Sequence, residues 1–600
     1  MTLATTPPAD DGAADGGSPE RAASPAPPAS PAPSDSPAQR AATALVVGLI
    51  QHGVRDVVLS PGSRSQALAL AVAAAARAGA IELHVRVDER VAGFTALGLA
   101  AESGLPVPVI CTSGTAVANL HPAVLEAHHS GVGIIVLSAD RPVELRGIGS
   151  NQTTVQPGIF GDLVRADWDV AAPVGAAHEV DDAGDLAELA VRAAAEGPVH
   201  VNLAYREPLS GAVELPADLA AGEHPAAGAG AGADVDDAAP GDRRDRVVLD
   251  LEPDDATVLI AGTGAGPLAT ELAEKLGAPL IAEVASESRF GRHVVAAYRD
   301  VLRGPHGDAV ARAIVVGHPT LSREVPALLQ RPDVEAIVIR TPGVEAYDPG
   351  RRARVVDGVR VHGTPDPAIV RRWVGGWVAM SRAVLESEAP DDPAPDLGAA
   401  VSEEPNVRAA FARAEMAILR APVDRRMLAR ALWASTWPHD RLVLGASRLI
   451  READRIVPGK RIPVHANRGL AGIDGTISTA AGIALAARRA ERHGVVRVLL
   501  GDLAAVHDAG ALLVPLPDDV SLHVFVGDDG GGTIFDSLEV AATADADDFA
   551  RVMRTPVAVD FAALAAAGGW EYRRVTTRAE LDDALTARER LLLVHVPLEP

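Results

Sequence analysis

Short apolar runs alternate with longer alanine-rich stretches along most of this chain. Runs such as DVVLS from residue 56, VPVICTS from residue 107 and TVLIAGTG from residue 257 are each followed by a segment with apolar residues at helical spacing. The alternation continues through RLVLGAS, VVRVLLGDL and SLHVFVGDD. Strands that alternate with helices indicate parallel sheets with right-handed crossovers. We therefore expect an α/β protein whose functional groups lie in loops after the carboxyl ends of the strands.

Three segments interrupt this alternation, because they consist mainly of Pro, Ala, Gly, Ser and acidic residues. They are residues 1–38, 216–245 and 387–406. Segments of this composition bury too little apolar surface to offset the entropy cost of ordering them. We predict a disordered N-terminal tail and two linkers. The remaining chain forms three bodies, for which we predict three doubly wound parallel-sheet domains: residues 39–215, 246–386 and 407–600.

Composition narrows the class of partners and the compartment. Of the 600 residues, 48% are hydrophobic and only 3% are aromatic, so the cores must consist mainly of Ala, Val and Leu. A formal net charge of −25 argues against binding to nucleic acid or to an anionic membrane surface. Cys111 is the single cysteine, which excludes a disulfide within the chain and is typical of a reducing cytoplasm. We expect neither a signal peptide nor a membrane span.

Acidic residues follow two apolar runs of the third body. Asp502 comes directly after VVRVLLG, and Asp528, Asp529 and Gly530 come after SLHVFVG. Mg²⁺ prefers oxygen ligands and commonly completes its coordination with phosphate oxygens and water. Neighbouring glycines allow the backbone to approach a diphosphate closely. The alternative is two ordinary Asp/Gly turns, but the occurrence of both at this spacing favours a site for a metal ion and a diphosphate.

This pair of segments resembles the metal and diphosphate motif of thiamin-diphosphate enzymes, in the variant with Leu503 in place of glycine. In that family the second segment usually reads Asn-Asn-Asp-Gly, whereas here it begins with glycine. The resemblance implies that Asp502, Asp528 and the carbonyl of Gly530 bind Mg²⁺ or Mn²⁺. An alignment on the following Ile-Phe pair would shift the second ligand to Asp529, so both aspartates remain candidates.

Glu89 stands where a strand is followed by an apolar helix, in VRVDERVAGFTALGLA from residue 85. Taken alone, it is a first-turn acid that the helix dipole favours. The resemblance to thiamin enzymes implies a further role, because a glutamate of their first domain binds N1′ of the aminopyrimidine and promotes the proton relay that activates the cofactor. In such enzymes the cofactor carries the chemistry, while the protein supplies proton transfer and orientation. We predict that Glu89 is the catalytic residue.

Four longer stretches carry a more specific resemblance. They are LSPGSRSQALALA from residue 59, CTSGTAVANLHPAVLEA with the later LSADRPVELRGIGSNQTTVQ, GASRLIR from residue 445, and ANRGLAGIDGTISTAAG from residue 466. Together they resemble the 2-succinyl-5-enolpyruvyl-6-hydroxy-3-cyclohexene-1-carboxylate synthases of menaquinone biosynthesis, over most of residues 40–575. The resemblance implies three domains of the thiamin-enzyme type. It also implies a transferase that decarboxylates 2-oxoglutarate and adds the resulting carbanion to isochorismate in a 1,4 fashion.

The resemblance also implies which residues bind the substrates and the cofactor. Both substrates are dicarboxylates, and guanidinium groups match carboxylates bidentately. The residues implied for substrate binding are Arg64, Gln152, Arg323, Ser447, Arg451 and Arg468. Those implied for cofactor binding, besides Glu89 and Asp502, are Ser113, Gly114, Gly472, Ile473, Leu503, Ile534 and Phe535. The alternatives are surface ion pairs for the arginines and core packing for Ile534 and Phe535.

This chain departs from the family pattern at two positions. Ala446 stands where the family often has an asparagine near the substrate, and Gly527 replaces the asparagine before the metal ligands. Neither change removes a required group. The rival hypotheses are another thiamin enzyme, such as a 2-oxo acid decarboxylase or acetolactate synthase, and an inactive paralogue kept as a binding protein. The first has no need of dicarboxylate-binding arginines, and the second predicts loss of Glu89 or of the metal ligands.

The resemblance bears on assembly as well. In thiamin enzymes the catalytic glutamate comes from one chain and the metal-binding loop from another. We therefore expect a homodimer, or a homotetramer built as a dimer of dimers, with active sites shared between subunits. From the sequence, both assemblies are open.

Overall fold

The computed structural model describes residues 36–217, 219, 246–388 and 396–599. Three bodies with parallel sheets contain nearly all of them, which confirms the predicted α/β class. The predicted tail lies outside the described residues up to residue 35, as does most of the predicted linker at 216–245. The end of the predicted tail is helical, because helix α1 begins at Pro37 and Ser36 caps it by accepting a hydrogen bond from the backbone N–H of Gln39.

The first body is a doubly wound domain. Its elements are α1 (Pro37–Gln51), β1 (Asp56–Leu59), α2 (Gln66–Arg77), β2 (Glu82–Val85), α3 (Glu89–Ser103), β3 (Val107–Cys111), α4 (Thr115–Asn119), α5 (His121–Ser130), β4 (Ile134–Asp140), β5 (Asp167–Val170), α6 (Glu179–Ala193) and β6 (Val199–Ala204). The strands form one parallel sheet in the order β2-β1-β3-β4-β6-β5. Val58 faces one apolar cluster, while Val57 and Leu59 face another, so both sides of the sheet are covered.

The central body has two parallel sheets. Its elements are β7 (Val248–Leu251), β8 (Thr257–Ala261), α7 (Gly266–Leu276), β9 (Leu280–Ala282), α8 (Tyr298–Leu302), α9 (Pro305–Asp308), β10 (Arg312–Val316), α10 (Glu324–Leu329), β11 (Glu335–Ile339), β12 (Arg354–Val356), β13 (Gly358–Val361) and α11 (Pro367–Ser387). Five strands pair in the order β12-β11-β10-β8-β9, and β13 pairs with β7. The loops that follow β9 and β10 both lie at the carboxyl ends of the strands of the larger sheet.

The third body carries the predicted metal-binding segments. Its elements are α12 (Leu397–Ala400), α13 (Pro405–Leu419), α14 (Arg425–Ser435), β14 (Arg441–Leu444), α15 (Arg448–Ile456), β15 (Val464–His465), α16 (Thr476–Arg489), β16 (Val496–Gly501), α17 (Asp502–His507), β17 (Leu522–Asp528), α18 (Val540–Thr543), α19 (Ala546–Phe549), α20 (Phe561–Gly568), β18 (Glu571–Arg574), α21 (Arg578–Leu585) and β19 (Leu591–Pro597). The sheet is parallel, in the order β15-β14-β16-β17-β19-β18. Helix α12 and the start of α13 lie within the predicted linker at 387–406, so part of that segment is helical.

The short helical turns complete the list of elements. Five are 3-10 turns and the last is a π-helical turn: Val143–Leu145, Gly161–Leu163, Ala194–Glu196, Ala509–Leu513, Thr533–Ser537 and Ala550–Arg554. Across the described ranges, no helix combines the length and the apolarity needed to cross a membrane.

The first and third bodies have the same strand topology and share a core. Counted in chain order within each body, their six strands lie in the same spatial sequence. Helix α3, which follows the second strand of the first sheet, packs against α16, which follows the second strand of the third. A Cβ atom on Gly98 would lie 2.0 Å from the carbonyl oxygen of Thr479, and one on Gly482 would lie 2.2 Å from that of Thr95. The two helices therefore approach each other closely at a pair of glycines.

Candidate active site

Glu89 is the first residue of α3, and the residues on either side of it, Asp88 and Arg90, make hydrogen bonds at the start of this helix. Asp88 is the N-cap, and its Oδ1 accepts hydrogen bonds from the backbone N–H groups of Arg90 at 2.8 Å and Val91 at 3.3 Å. The guanidinium of Arg90 donates to Nδ1 of His507 at 2.9 Å and to its carbonyl oxygen at 2.7 Å. The Glu89 carboxylate makes no hydrogen bond or ion pair to any described residue of its own chain, so it is available to a ligand.

The loop after β3 lies near Glu89. Burial first, and then the charge of Glu89, raise the pKa of the Cys111 thiol, which ends that strand. Gly114 adopts a φ of +89°, and its N–H donates to Oε1 of Gln156 at 2.9 Å. The side-chain amide of Gln152 donates to the carbonyl oxygen of Ser113 at 3.0 Å. Two glutamines thus hold the backbone of Ser113 and Gly114, both of which were predicted to contact the cofactor.

Two guanidinium groups stand beside this loop. The Arg64 backbone N–H donates to Oγ1 of Thr112 at 3.3 Å, and its Nη1 donates to the carbonyl oxygen of Tyr205 at 3.1 Å. Arg141 donates to Oγ of Ser113 and, at 2.6 Å, to the carbonyl oxygen of Gln152. Burial, and after it the positive charge of Arg64, lower the pKa of Arg141, which indicates that the two guanidinium groups are near neighbours. Two cations at one loop are suited to a substrate with carboxylates.

At the carboxyl edge of the third sheet, Asp502 stands close to two further acids, Asp528 and Asp529. Asp502 begins α17 with only 2% of its surface exposed, and its buried Oδ2 has no hydrogen-bond partner among the described residues. Burial, together with the charges of Asp528 and Asp529, raises the pKa of Asp502 to about 6. A buried carboxylate with a second acid beside it and no basic partner fits a divalent cation.

The two aspartates after β17 differ in their hydrogen bonding. Both oxygens of Asp528 are engaged, Oδ2 with Nε2 of His595 at 2.8 Å and Oδ1 with the N–H of Gly530 at 3.2 Å. Oδ2 of Asp529 accepts from Nη2 of Arg425 at 2.8 Å and from Oγ1 of Thr533 at 2.6 Å. Oδ1 of Asp529 has no partner in the described part of the chain. One oxygen held and the other open is the arrangement expected of a metal-ligating carboxylate.

A third group of predicted residues lies where the third body meets the central body. Nη1 of Arg451 donates to the carbonyl oxygen of Ser447 at 2.8 Å, within α15 and its N-cap. Arg468 is 3% exposed, and its Nε and Nη2 donate to Oγ1 of Thr320 at 3.0 Å and 2.7 Å. Nη1 of Arg468 is buried and has no partner among the described residues. Arg323 lies three residues after Thr320, and its side chain is exposed.

The predicted wedge and pocket residues lie on two further loops. A cleft of about 450 Å³ is lined by Gly472 and Asp474 from the third body and by Phe94 and His121 from the first. Ile473 keeps 37% of its surface exposed beside this cleft. Leu503 belongs to α17, while the half-buried Ile534 and Phe535 belong to the 3-10 turn at Thr533–Ser537. These predicted residues follow β15, β16 and β17 along the chain, and no described contact links them to Glu89.

Comparison with known proteins defines the family. Residues 39–162 match a family model described as thiamine pyrophosphate enzyme, N-terminal TPP binding domain. The 2-succinyl-5-enolpyruvyl-6-hydroxy-3-cyclohexene-1-carboxylate synthase of Leifsonia xyli subsp. xyli is 55% identical over 578 residues, which cover 93% of this chain and 96% of that protein. The synthase of Clavibacter michiganensis subsp. michiganensis is 54% identical over 93% of this chain and 95% of its own. That of Kineococcus radiotolerans is 44% identical over 92% and 94%.

The chain belongs to the 2-succinyl-5-enolpyruvyl-6-hydroxy-3-cyclohexene-1-carboxylate synthase family. This confirms the resemblance inferred from the four sequence stretches, and it makes the chain a thiamin-diphosphate-dependent enzyme by class. The alignment with the Leifsonia xyli synthase covers more than nine-tenths of each chain. It therefore includes all three bodies, even the central one, in which the sequence motifs are weakest.

For a synthase of this family, the structure adds one residue that the motif analysis missed. Arg141 lies in LSADRPVELRG, directly after β4, but it was not singled out. The available signal was its position, because a cation in the first residues after a parallel strand lies at the edge where ligands bind. Its contacts with Ser113 and Gln152 place it among the residues predicted for substrate and cofactor.

Gly527, at one of the two departures from the family pattern, lies close to two leucine side chains. A Cβ atom there would lie 2.9 Å from Cδ1 of Leu449 and 3.0 Å from Cδ1 of Leu598. Two leucines therefore occupy the space into which a longer side chain at residue 527 would project. Ala446 is 95% buried, next to the N-cap Ser447, and nothing in the structure gives it a polar role.

A second acidic cluster lies in the first body, at the edge of the sheet opposite its carboxyl edge. Asp56, Glu82 and His84 approach one another near the amino ends of β1 and β2. His84 Nε2 contacts Oδ1 of Asp56 at 3.0 Å, Arg489 pairs with the other oxygen of Asp56, and Arg488 lies 2.8 Å from Glu82. These acids already have basic partners, so they connect β1 and β2 to the last turn of α16.

Proposed function

We propose that this protein decarboxylates 2-oxoglutarate and adds the resulting succinyl carbanion equivalent to isochorismate, which gives 2-succinyl-5-enolpyruvyl-6-hydroxy-3-cyclohexene-1-carboxylate and CO₂. The observation that carries the proposal is 55% identity to a curated synthase of that name over 93% of the chain. The carboxylate of Glu89 and Oδ2 of Asp502 support it, because neither has a hydrogen-bond partner among the described residues, and a thiamin enzyme requires both a catalytic glutamate and a metal-binding acid.

Glu89 is the proposed catalytic residue. Thiamin diphosphate, when bound, supplies the carbanion stabilisation that decarboxylation of a 2-oxo acid needs. With the cofactor bound, the Glu89 carboxylate would hold a proton at the aminopyrimidine N1′, since Asp88 and Arg90 make the hydrogen bonds at this end of the helix and leave that carboxylate free. Ser113 and Gly114 of the first body would line the cofactor site, and Gly472 and Ile473 of the third body would orient the cofactor.

A divalent cation, Mg²⁺ or Mn²⁺, is the proposed counter-charge for the acidic edge. Asp502 provides one ligand, and a backbone carbonyl of the glycine turn, for which Gly530 is the sequence-based candidate, provides another. Asp528 is the sequence-based choice for the second carboxylate. The open Oδ1 of Asp529 favours Asp529 instead, because its other oxygen is already held by Arg425 and Thr533. The Leu503 backbone and the turn with Ile534 and Phe535 complete the cofactor site.

The arginines are the proposed carboxylate-binding groups. Arg64 with Gln152, and Arg141 beside them, form one cationic group in the first body. Arg451 with Ser447, and Arg468 with Arg323 nearby, form the other. Two separate groups suit a reaction with two dicarboxylate substrates, because each guanidinium can bind one carboxylate bidentately.

A second copy of the chain is the proposed partner. Glu89 contacts no described carboxylate of the acidic edge in its own chain, and apolar residues are exposed near it: Val87 is 85% exposed, and Val143, Ile148 and Val155 on the nearby loop are also exposed. Exposed apolar side chains around an incomplete site fit an interface between subunits. A homodimer, alone or paired into a tetramer, would complete each site from two chains.

The reaction is tested with purified protein, thiamin diphosphate, Mg²⁺, 2-oxoglutarate and isochorismate. We expect CO₂ release and isochorismate loss at equal rates, and a fall of about 10³-fold in Glu89→Gln, since general acid–base groups contribute about 10² to 10⁴-fold. Glu188→Gln, on the exposed face of α6, is the matched control. CO₂ release without isochorismate loss would reject the acceptor. Preferred turnover of pyruvate would favour a 2-oxo acid decarboxylase.

Shared sites are tested by complementation. Glu89→Gln and Asp502→Ala are each inactive alone, and we expect activity when the two are co-expressed and assemble together. In a mixed dimer with shared sites, one site has both native residues and the other has neither. If each chain held a complete site, the mixture would be as inactive as either variant.

A further inference from the structure

Glu283 is a buried carboxylate that the proposed reaction does not use. It follows β9 in the central body and is 1% exposed. Its two oxygens accept hydrogen bonds from consecutive backbone N–H groups, Oε2 from Thr320 at 3.0 Å and Oε1 from Leu321 at 2.6 Å. Burying a carboxylate is costly, and Glu283 has no ion pair within 4 Å among the described residues. The two bonds therefore fix the loop after β10 at a single position.

That loop in turn holds a predicted substrate arginine of another body. Oγ1 of Thr320 accepts from both Nε and Nη2 of Arg468, and the Thr320 carbonyl oxygen accepts from Nη2 at 3.3 Å. Three hydrogen bonds to one residue leave a guanidinium little freedom to rotate. Nη1 has no hydrogen-bond partner in the described part of the chain. The loop thus holds Arg468 with one nitrogen free for a ligand.

The neighbouring segment is joined to the third body as well. Asp454 of α15 is fully buried, and its Oδ1 accepts from the backbone N–H of Val284 at 2.8 Å. Its Oδ2 accepts from the Tyr298 hydroxyl at 2.7 Å and from Arg299 at 2.6 Å. Leu321 is buried in the apolar cluster that contains Ile450 of α15. The two residues after β9 and the loop after β10 are therefore fixed against the helix that carries Arg451.

From this chain of contacts we infer that Glu283 and Thr320 are positioning residues for substrate binding: Glu283 fixes the loop, and Thr320 orients Arg468 so that Nη1 meets a substrate carboxylate. The inference deepens the proposed function and rests on it. It extends the contribution of the central body beyond Arg323, although this body contributes no cofactor ligand to the proposed site. Neither residue touches the reacting atoms, so their loss should weaken substrate binding more than it slows chemistry.

Thr320→Val tests the inference, because valine keeps the shape and removes the hydroxyl. We expect the KM of one of the two dicarboxylates to rise by about 10-fold or more, as for a lost hydrogen bond to a buried charged group, with kcat within about 3-fold of the native value. Thr320→Ser restores the hydroxyl and should return KM to within about 3-fold. Glu283→Gln should raise the KM of the same substrate. A glutamine side chain has a single acceptor oxygen, and its NH₂ group cannot accept the second backbone N–H.

The melting temperatures of the variants and the turnover of the native enzyme distinguish failure of the inference from failure of the proposed function. If both KM values in Thr320→Val equal those of the native enzyme, the inference is overturned. It is also overturned if Thr320→Ser fails as badly as Thr320→Val while the melting temperature falls in both, because the role would then be structural. If the native enzyme consumes neither substrate, the proposed function itself fails. Native turnover with unchanged variants rejects only the positioning role.

Discussion

The first and third bodies place an aspartate at the same point of the same topology, but they surround it differently. Asp140 is the last residue of β4, and Asp528 is the last residue of β17, the fourth strand of each sheet. Oδ2 of Asp140 lies 2.9 Å from Nη2 of Arg146 and accepts from Asn202 at 3.0 Å. Asp528 has His595, and the nearby Asp502 has no basic partner in the described chain.

The comparison shows that one strand topology can carry a structural ion pair in the first body and a candidate metal site in the third. A buried carboxylate with its own arginine is a completed ion pair, and it can hold a sheet edge together. A buried carboxylate next to other acids is unfavourable until a cation binds, which is why perturbed groups of this kind mark functional sites. Asp140 at the first sheet edge is thus neutralised by Arg146, whereas Asp502 at the third has no basic partner among the described residues and is suited to a bound cation.

A similar difference separates α3 and α16, the helices that follow the second strand of the first and of the third sheet. Helix α3 begins with Glu89, whose carboxylate has no partner among the described residues of its own chain, whereas α16 begins with the buried Thr476. The helices pack on each other through glycines in both. One helix carries an acidic side chain at its amino end, and the other provides the surface on which it packs.

The largest expected effect separates the two acidic edges directly. Asp502→Ala should abolish the rise in melting temperature that thiamin diphosphate and Mg²⁺ cause in the native protein, and should lower turnover by about 10³-fold. Asp140→Asn breaks an internal pair instead, so it should lower stability by about 3 kcal/mol and keep the Mg²⁺ dependence. Thermal melts with and without the cofactor, beside turnover assays, measure both. An Asp502→Ala variant that still responds to Mg²⁺ would remove the contrast between the edges.

The next effect concerns the ion pairs that join the two bodies. Glu102, near the end of α3, binds Arg441 at 2.7 Å and His465 at 3.0 Å. Burial opposes its ionisation, but the hydrogen bonds of His465 and Arg441 outweigh burial and lower the pKa of Glu102 from 4.5 to about 2. A lowered pKa in the folded state stabilises it above pH 4.5, and this contribution is lost as the pH falls towards 2.

We therefore expect Glu102→Gln to reduce the free energy of unfolding at pH 7 by about 3 kcal/mol, and by progressively less between pH 4.5 and pH 2. Urea unfolding across this pH range provides the measurement. Glu188→Gln, in an exposed pair with Arg192, should change stability by less than about 0.5 kcal/mol. An equal loss at pH 3 and pH 7 would mean that the Glu102 charge does not stabilise the contact.

A smaller effect resolves which aspartate after β17 binds the metal. Asp529→Ala should raise the half-saturating Mg²⁺ concentration by about 100-fold or more, and Asp528→Ala, which orients the turn through Gly530, by about 10-fold. Cofactor-dependent melting at graded Mg²⁺ concentrations gives both values without relying on activity. Arg425→Gln removes the contact to Asp529 but keeps the carboxylate, so its effect should lie below that of Asp529→Ala. The reverse order for the two alanine variants would assign the ligand to Asp528.

The smallest expected effect tests the packing of α3 on α16. Gly98→Ala should destabilise the protein by about 1–3 kcal/mol, because the new methyl group would overlap the Thr479 carbonyl, 2.0 Å away. Gly375→Ala, in α11, is the matched control: nothing lies within 4 Å of its Cβ position. There the loss of glycine flexibility should stabilise by about 0.5–1 kcal/mol. Melting temperatures that fall equally in both variants would show that helix propensity, rather than contact, decides.

Local patterns predicted much of the fold and part of the site. The alternation of apolar runs with helical segments indicated parallel sheets, and the class is confirmed. Domain limits were less accurate at their ends, since Ser36 and Pro37 start a helix inside the predicted tail and α12 lies inside a predicted linker. Capping and helix propensity act over three or four residues, so they override a composition averaged over twenty.

Within the site, the prediction named residues but not their partners. Asp502, Glu89 and Arg468 were named from their motifs. The motifs did not point to Arg141, or to Glu283, which follows an ordinary apolar strand and belongs to no motif. Its role depends on Thr320 and Arg468, which lie 37 and 185 residues further along the chain. Contacts over such distances leave no periodic signal in a single sequence.

The sequence by itself determined the class of fold, the three bodies and the family, because each strand, helix and motif is written in a short run of residues with its own periodicity or spacing. Only the tertiary structure decided which charges are neutralised. It paired Asp140 with Arg146 and Asp529 with Arg425, left Oδ2 of Asp502 without a partner among the described residues, and gave α3 and α16 a common core. Neutralisation depends on which side chains packing brings within about 4 Å, where the Coulomb energy is large, and chain order does not specify that.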